Sequence, residues 1–142
     1  MAWEQVQSPA LLQHLAAPLI TFHPRGAPFP ALWEEREYLV GLRLYGLLPV
    51  GEQVIGIERP QTGAPAGGYV LRDNGRGGAI KRWDHLMLLA PEAGGTRYTD
   101  QVEIEAGLIT PLAAAFARSF YRHRQRRWLQ LINRDFVPRG QR

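Results

Sequence analysis

The stretch TRYTDQVEIEAG (Thr96 to Gly107), followed by ITPLAAAFARSFYRHRQRRWLQLIN (Ile109 to Asn133), constrains this chain more than any other part of it. In the first half Tyr98, Asp100, Val102 and Ile104 alternate with Thr99, Gln101, Glu103 and Glu105, the period of a half-buried strand. The second half reads as a long amphipathic helix. A closing strand that feeds a terminal helix, after a series of hairpins, predicts an α+β fold. Its curved antiparallel sheet of about six strands wraps around the helix and leaves a pocket between them.

The 142 residues suit a single domain able to bury a continuous core without disulfides or metal. There is no cysteine, which excludes a thiol nucleophile, a disulfide framework and a thiolate zinc site. No apolar run approaches the roughly 20 residues of a membrane-spanning helix, and the start lacks the layout of a secretory signal. The expectation is a cytoplasmic protein with no membrane span. Of the 17 basic residues only Lys81 is lysine, and eight arginines fall between Arg118 and the end, opposed there by Asp135 alone.

Ser8-Pro9 reads as an N-cap with proline in the first turn, opening a short helix over 9–17 that Pro18 ends. A sheet is expected over 19–106. Its segments are Leu19 to His23, Tyr38 to Leu48, Gln53 to Glu58 across a turn at Pro49-Val50-Gly51-Glu52, Tyr69 to Arg72, and Ile80 to Leu89 across DNGRGG. The run PQTGAPAGG (Pro60 to Gly68) is a loop, and the last hairpin turns at PEAGG. The C-terminal helix is expected over 111–133, with Thr110 as its N-cap and a loose tail over 134–142.

On a helical wheel Leu112, Phe116, Phe120, His123, Arg127 and Leu131 share one face, with Ala117, Tyr121, Trp128 and Ile132 beside it. Arg118, Arg122 and Arg126 form a separate outer stripe, expected to be solvated or paired with Glu34, Glu35 or Glu37. His123 and Arg127 interrupt an aromatic face, and a buried cation needs a partner. Asp100, on the inner face of the last strand, is the available one, through Arg127, His123 or His85. Such groups serve either as a structural pin or as the polar end of a cavity. The strand KRWDHLMLL leaves its facing open: if Met87 and Leu89 point inward so do Trp83 and His85, whereas if Leu86 and Leu88 do, Asp84 turns in.

GGTRYTDQVEIEAG with FYRHRQRRW resembles the START-like, helix-grip superfamily, which includes polyketide cyclase and aromatase-like proteins and many small ligand binders. Trp33 to Glu58 and Ile80 to Leu89 resemble the same group, so the likeness runs from about Leu11 onward. It implies a sheet gripping the C-terminal helix around an elongated apolar cavity. One departure is that only MAWEQVQ precedes the first helix, so the expectation is that the first strand of such folds is missing or replaced. That would leave a shorter sheet, a more open cavity and an exposed sheet edge that would favour a homodimer.

The histidines are scattered and form neither HExxH nor an i, i+4 pair, so no metal and no cofactor are expected. GRGG and GAPAGG lack the context and lysine of a phosphate loop, and neither Ser8 nor Ser119 has a histidine beside it to make a nucleophile. The first expectation is a module that binds a hydrophobic or amphipathic small molecule. Trp83, Tyr98, Phe116 and Phe120 would be its walls. Asp100, His123 and Arg127, with His85 if it faces inward, would be its polar groups, the arginine suiting a carboxylate or phenolate. The second is a cyclase, aromatase or hydrolase in the same cavity, for which His85, His123, Asp100 and Tyr98 offer acid and base groups. Contact of Arg118, Arg122 and Arg126 with nucleic acid or an anionic surface ranks last, since few exposed aromatics accompany them.

Overall fold

The protein, seen in a computed structural model that describes residues 2–134, is an α+β structure. Two short helices, α1 (Ala2–Val6) and α2 (Pro9–Ala16), lead into strands β1 (Ile20–Pro24), β2 (Glu37–Leu44), β3 (Leu48–Glu58), β4 (Tyr69–Gly77), β5 (Ile80–Glu92) and β6 (Gly95–Glu105). A 3₁₀ turn (Gly107–Ile109) then opens α3 (Thr110–Ile132). The six strands pair in sequence order, each antiparallel to the next, as an open meander with β1 and β6 at its edges. The expected tail over 134–142 lies, beyond Arg134, outside the described residues, as does Asp135.

Ser8 caps α2 as its sequence predicts: the side chain accepts the Ala10 N–H at 3.2 Å, with Pro9 in the first turn. The helix α1 was not expected. Val6 is buried, and the Trp3 indole stacks on Tyr69 with ring centroids 4.7 Å apart, so burial of an apolar end onto β4 holds five residues that propensity alone would not.

Two hairpins differ from expectation. The β2–β3 turn falls at Tyr45-Gly46 rather than at Pro49–Glu52, with Leu47 N–H bonded to the Leu44 carbonyl at 3.0 Å. Both central residues have positive φ, 50° at Tyr45 and 72° at Gly46, the handedness that matches strand twist. Val50 is then the extra residue of a bulge, since Leu42 faces Gly51 and Arg43 faces Pro49. β4 does not stop at Arg72 but runs through DNGRG, with Asp73 opposite His85 and Gly75 opposite Trp83.

The facing of β5 is settled by burial. Trp83, His85, Met87 and Leu89 point to the core, while Asp84 lies on the other face and takes the Arg72 guanidinium at 2.7 Å. The alternation expected in β6 is present, with Tyr98, Asp100, Val102 and Ile104 half-buried between exposed neighbours. Leu15, Val40, Ile55, Leu71 and Leu89 anchor the main core, and Ala16, Ile20 and Phe120 form a second cluster.

Helix α3 lies one notch rotated from the expected wheel. Its buried residues are Ala113, Ala117, Phe120, Arg124, Trp128 and Leu131, spaced by four and three as one continuous stripe. The two alanines take inward places in the N-terminal half, and Leu112 and Phe116 turn toward solvent, 71% and 44% exposed. Thr110 is the first helical residue rather than the N-cap. Its hydroxyl donates to the Gly107 carbonyl at 2.7 Å and accepts the Ala106 N–H at 2.9 Å, fastening helix to strand. Among the described residues no helix is long and apolar enough to cross a membrane.

Candidate functional site

A cavity of about 470 Å³ lies between α3 and the inner face of the sheet, within the range of small-molecule pockets. Its walls come from every layer: Leu11 of α2, Phe22 of β1, Ile55 and Ile57 of β3, Met87 of β5 and Phe120 of α3. The lining residues Ile109, in the 3₁₀ turn, and Leu112 and Phe116, at the start of α3, are also exposed. They form the rim. The aliphatic surface gives way inward to a polar group comprising Asp73, His85, Tyr98, Tyr121 and Arg124.

Of the residues singled out from sequence, Trp83, His85, Tyr98, Phe116 and Phe120 line this cavity. Asp100 stands directly behind the wall. Its Oδ1 accepts from His85 Nε2 and from the Tyr98 hydroxyl, both at 2.7 Å, and its Oδ2 accepts from Gln125 Nε2 at 3.3 Å. With the His85 and Asp100 side chains each only 3% exposed, the two form a neutral imidazole donating to an ionised carboxylate. Burial lowers the His85 pKa and outweighs the opposing bond from Asp100. Burial works against the Asp100 carboxylate, yet His85, Arg124 and Tyr98 hold it at about 2.

His123 and Arg127 are not part of the cavity lining. His123 Nε2 donates to the Ala17 carbonyl at 2.8 Å, and Arg127 Nε to the His14 carbonyl at 2.7 Å. Both therefore serve the carbonyls at the C-terminal end of α2, where backbone acceptors lack intrahelical donors and a cation is favoured. Of the three partners expected for Asp100, the structure selects His85, while His123 and Arg127 are drawn to α2. The rotation of α3 is the reason.

That rotation places Arg124 inside. It is 5% exposed and lines the cavity, with its guanidinium carbon 5.2 Å from the Tyr121 ring centroid and 5.9 Å from that of Phe120. Its Nε is sealed from solvent with no acceptor, and among the described residues no carboxylate oxygen lies within 4.0 Å of it. Burial opposes its charge, but Tyr98, Tyr121, Asp100 and Asp73 act through space to keep the guanidinium protonated. Asp73, also on the lining, accepts the Gly56 N–H at 2.9 Å, and burial raises its pKa to about 7.

Arg124 and Asp73 were missed from sequence. Arg124 sits four residues beyond Phe120 and four before Trp128, so the a/d spacing through Ala113 and Ala117 would have found it. Asp73 shares the parity of Leu71 but sat in a segment read as a turn. The outer stripe is exposed as expected, but the proposed acidic partners are engaged elsewhere: Glu34 with Arg36 at 3.4 Å, Glu37 with Arg76 at 2.8 Å, and Glu35 with the Arg59 N–H at 2.7 Å. Among the described residues no group of three or more His, Cys, Asp or Glu is placed to hold a metal ion.

Neither a curated protein nor a solved structure matches the chain. A family does match, over residues 2–132, so nearly all of the fold just described lies within it. The chain belongs to the family described as Domain of unknown function (DUF8410).

Proposed function

We propose that this protein encloses a hydrophobic or amphipathic small molecule between its sheet and α3, in the manner of START-like, helix-grip ligand binders. The observation that carries the reading is the cavity of about 470 Å³, walled by aliphatic and aromatic side chains around a small polar group. Side chains of a folded interior ordinarily fill such a space. The sequential antiparallel meander with one long helix across its inner face supports the helix-grip assignment.

Native mass spectrometry of freshly purified protein, followed by solvent extraction, tests this reading. A stoichiometric hydrophobic adduct is expected, reduced in Phe120→Trp, where the larger ring takes up cavity space. A protein that yields no adduct and takes up no apolar compound from a panel of such ligands contradicts the reading.

A second reading is supported by Asp73. Its pKa of about 7 suits proton transfer near neutrality, and Arg124 is placed to stabilise developing negative charge. In this reading the cavity belongs to a cyclase, aromatase or hydrolase-type enzyme, and the bound compound is its substrate. An extracted compound that the purified protein converts, and that Asp73→Asn leaves unconverted, supports the enzyme. A compound recovered unchanged after prolonged incubation supports the binding module.

A further inference from the structure

We infer that the ligand carries a carboxylate, seated on the guanidinium of Arg124 with its apolar body running toward the rim at Phe116 and Leu112. The inference rests on the cavity reading above and names the chemical class that the cavity takes.

A guanidinium carries five N–H donors in a planar fork, and none of those of Arg124 has an acceptor among the described residues. The faces of Phe120 and Tyr121 offset part of its desolvation. They leave the edge of the fork unanswered.

Nearby acids do not answer it. Asp100 acts on Arg124 through space, but its oxygens are occupied by His85, Tyr98 and Gln125. Asp73 directs Oδ1 to the Gly56 N–H and makes no close ion pair. A donor fork that is 5% exposed and borders a cavity is completed by an acceptor inside that cavity. A planar carboxylate fits it with two parallel bonds, whereas a lone carbonyl fills only one position.

The placement also sets the shape of the molecule. Arg124 lies eight residues beyond Phe116 on α3, about 12 Å along the axis at the helical rise. Phe120, Ile80, Trp83 and Ala113 also line the cavity, with no charge among them. A head at Arg124 and an apolar tail of that length describe a monocarboxylic acid with an extended chain or a narrow ring system.

Isothermal titration of the full chain with decanoate and with decanamide, which differ only at the head, tests the assignment. The expected result is one decanoate per chain, bound at least tenfold more tightly than the amide. Arg124→Gln should remove that tenfold preference while leaving decanamide binding in place, and Arg124→Lys should restore part of it. Equal affinity for the two probes in the wild-type protein overturns the carboxylate assignment and leaves the cavity reading standing. Failure of both probes to bind overturns the two together. Should Arg124→Gln not fold, the wild-type preference between the probes decides by itself.

Discussion

Arg124 and Arg127 stand one turn apart on the same helix and have opposite fates. Arg127 reaches the carbonyl at the end of α2, so its charge sits where a helix end favours it. Arg124 turns into a cavity, against aromatic rings and without an acceptor. The first is spent on holding α2 against α3. The second is desolvated with no structural bond in return, the pattern of a group kept for a ligand. A basic helix is thus not one feature: a 100° step per residue sorts its cations into structural, solvated and cavity-facing sets.

The largest expected effect falls on Asp100, the carboxylate behind the cavity wall. Asp100→Ala removes the acceptor shared by His85, Tyr98 and Gln125 and should cost about 2 to 4 kcal/mol in denaturant unfolding. Unchanged stability would mean that the pair reaches water. Asp73 gives a smaller, pH-dependent effect. Its folded pKa of about 7 stands above the ordinary value of 3.8, so the native state holds the proton longer. Stability therefore falls as pH rises between those two values and levels off above them. Asp73→Asn should remove that decline, gaining of order 2 kcal/mol relative to wild type between about pH 5 and pH 8. A wild-type and variant difference independent of pH would contradict it.

The two arginines then separate. Arg127→Ala should lower stability by about 1 to 2 kcal/mol through the lost α2 contact, with ligand affinity unchanged. Arg124→Met should leave stability level or raise it by about 1 kcal/mol, because an apolar chain replaces a buried, unbonded cation. Destabilisation by Arg124→Met as large as that of Arg127→Ala would erase the contrast. Smallest of all, replacing Arg118, Arg122 and Arg126 by glutamine should change stability by less than about 0.5 kcal/mol per site.

Much of this was legible in the chain. The alternation from Tyr98 to Ile104, the Ser8 cap and the closing turn at PEAGG each follow from a local rule, and each stands in the structure. The β2–β3 turn did not, because Pro49 and Gly51 are strong turn residues. A bulge absorbed them once Tyr45 and Gly46 had taken the turn. The site was half legible. Aromatic walls follow from periodicity, but which arginine enters depends on a rotation of α3 set by packing Ala113 and Ala117 inward. A wheel ranked by hydrophobicity prefers Leu112 and Phe116 for those places. Asp73 was hidden by DNGRGG, where turn chemistry outweighed the strand period that actually governs it.

The most direct test of the contrast is a thermal melt of wild type, Arg124→Met and Arg127→Met, each with and without saturating decanoate. A ligand that binds only the native state raises Tm. The rise should be of full size in wild type and in Arg127→Met and clearly smaller in Arg124→Met. An undiminished rise in Arg124→Met, with loss of the rise in Arg127→Met, would place the head of the ligand at the α2 contact and contradict the account.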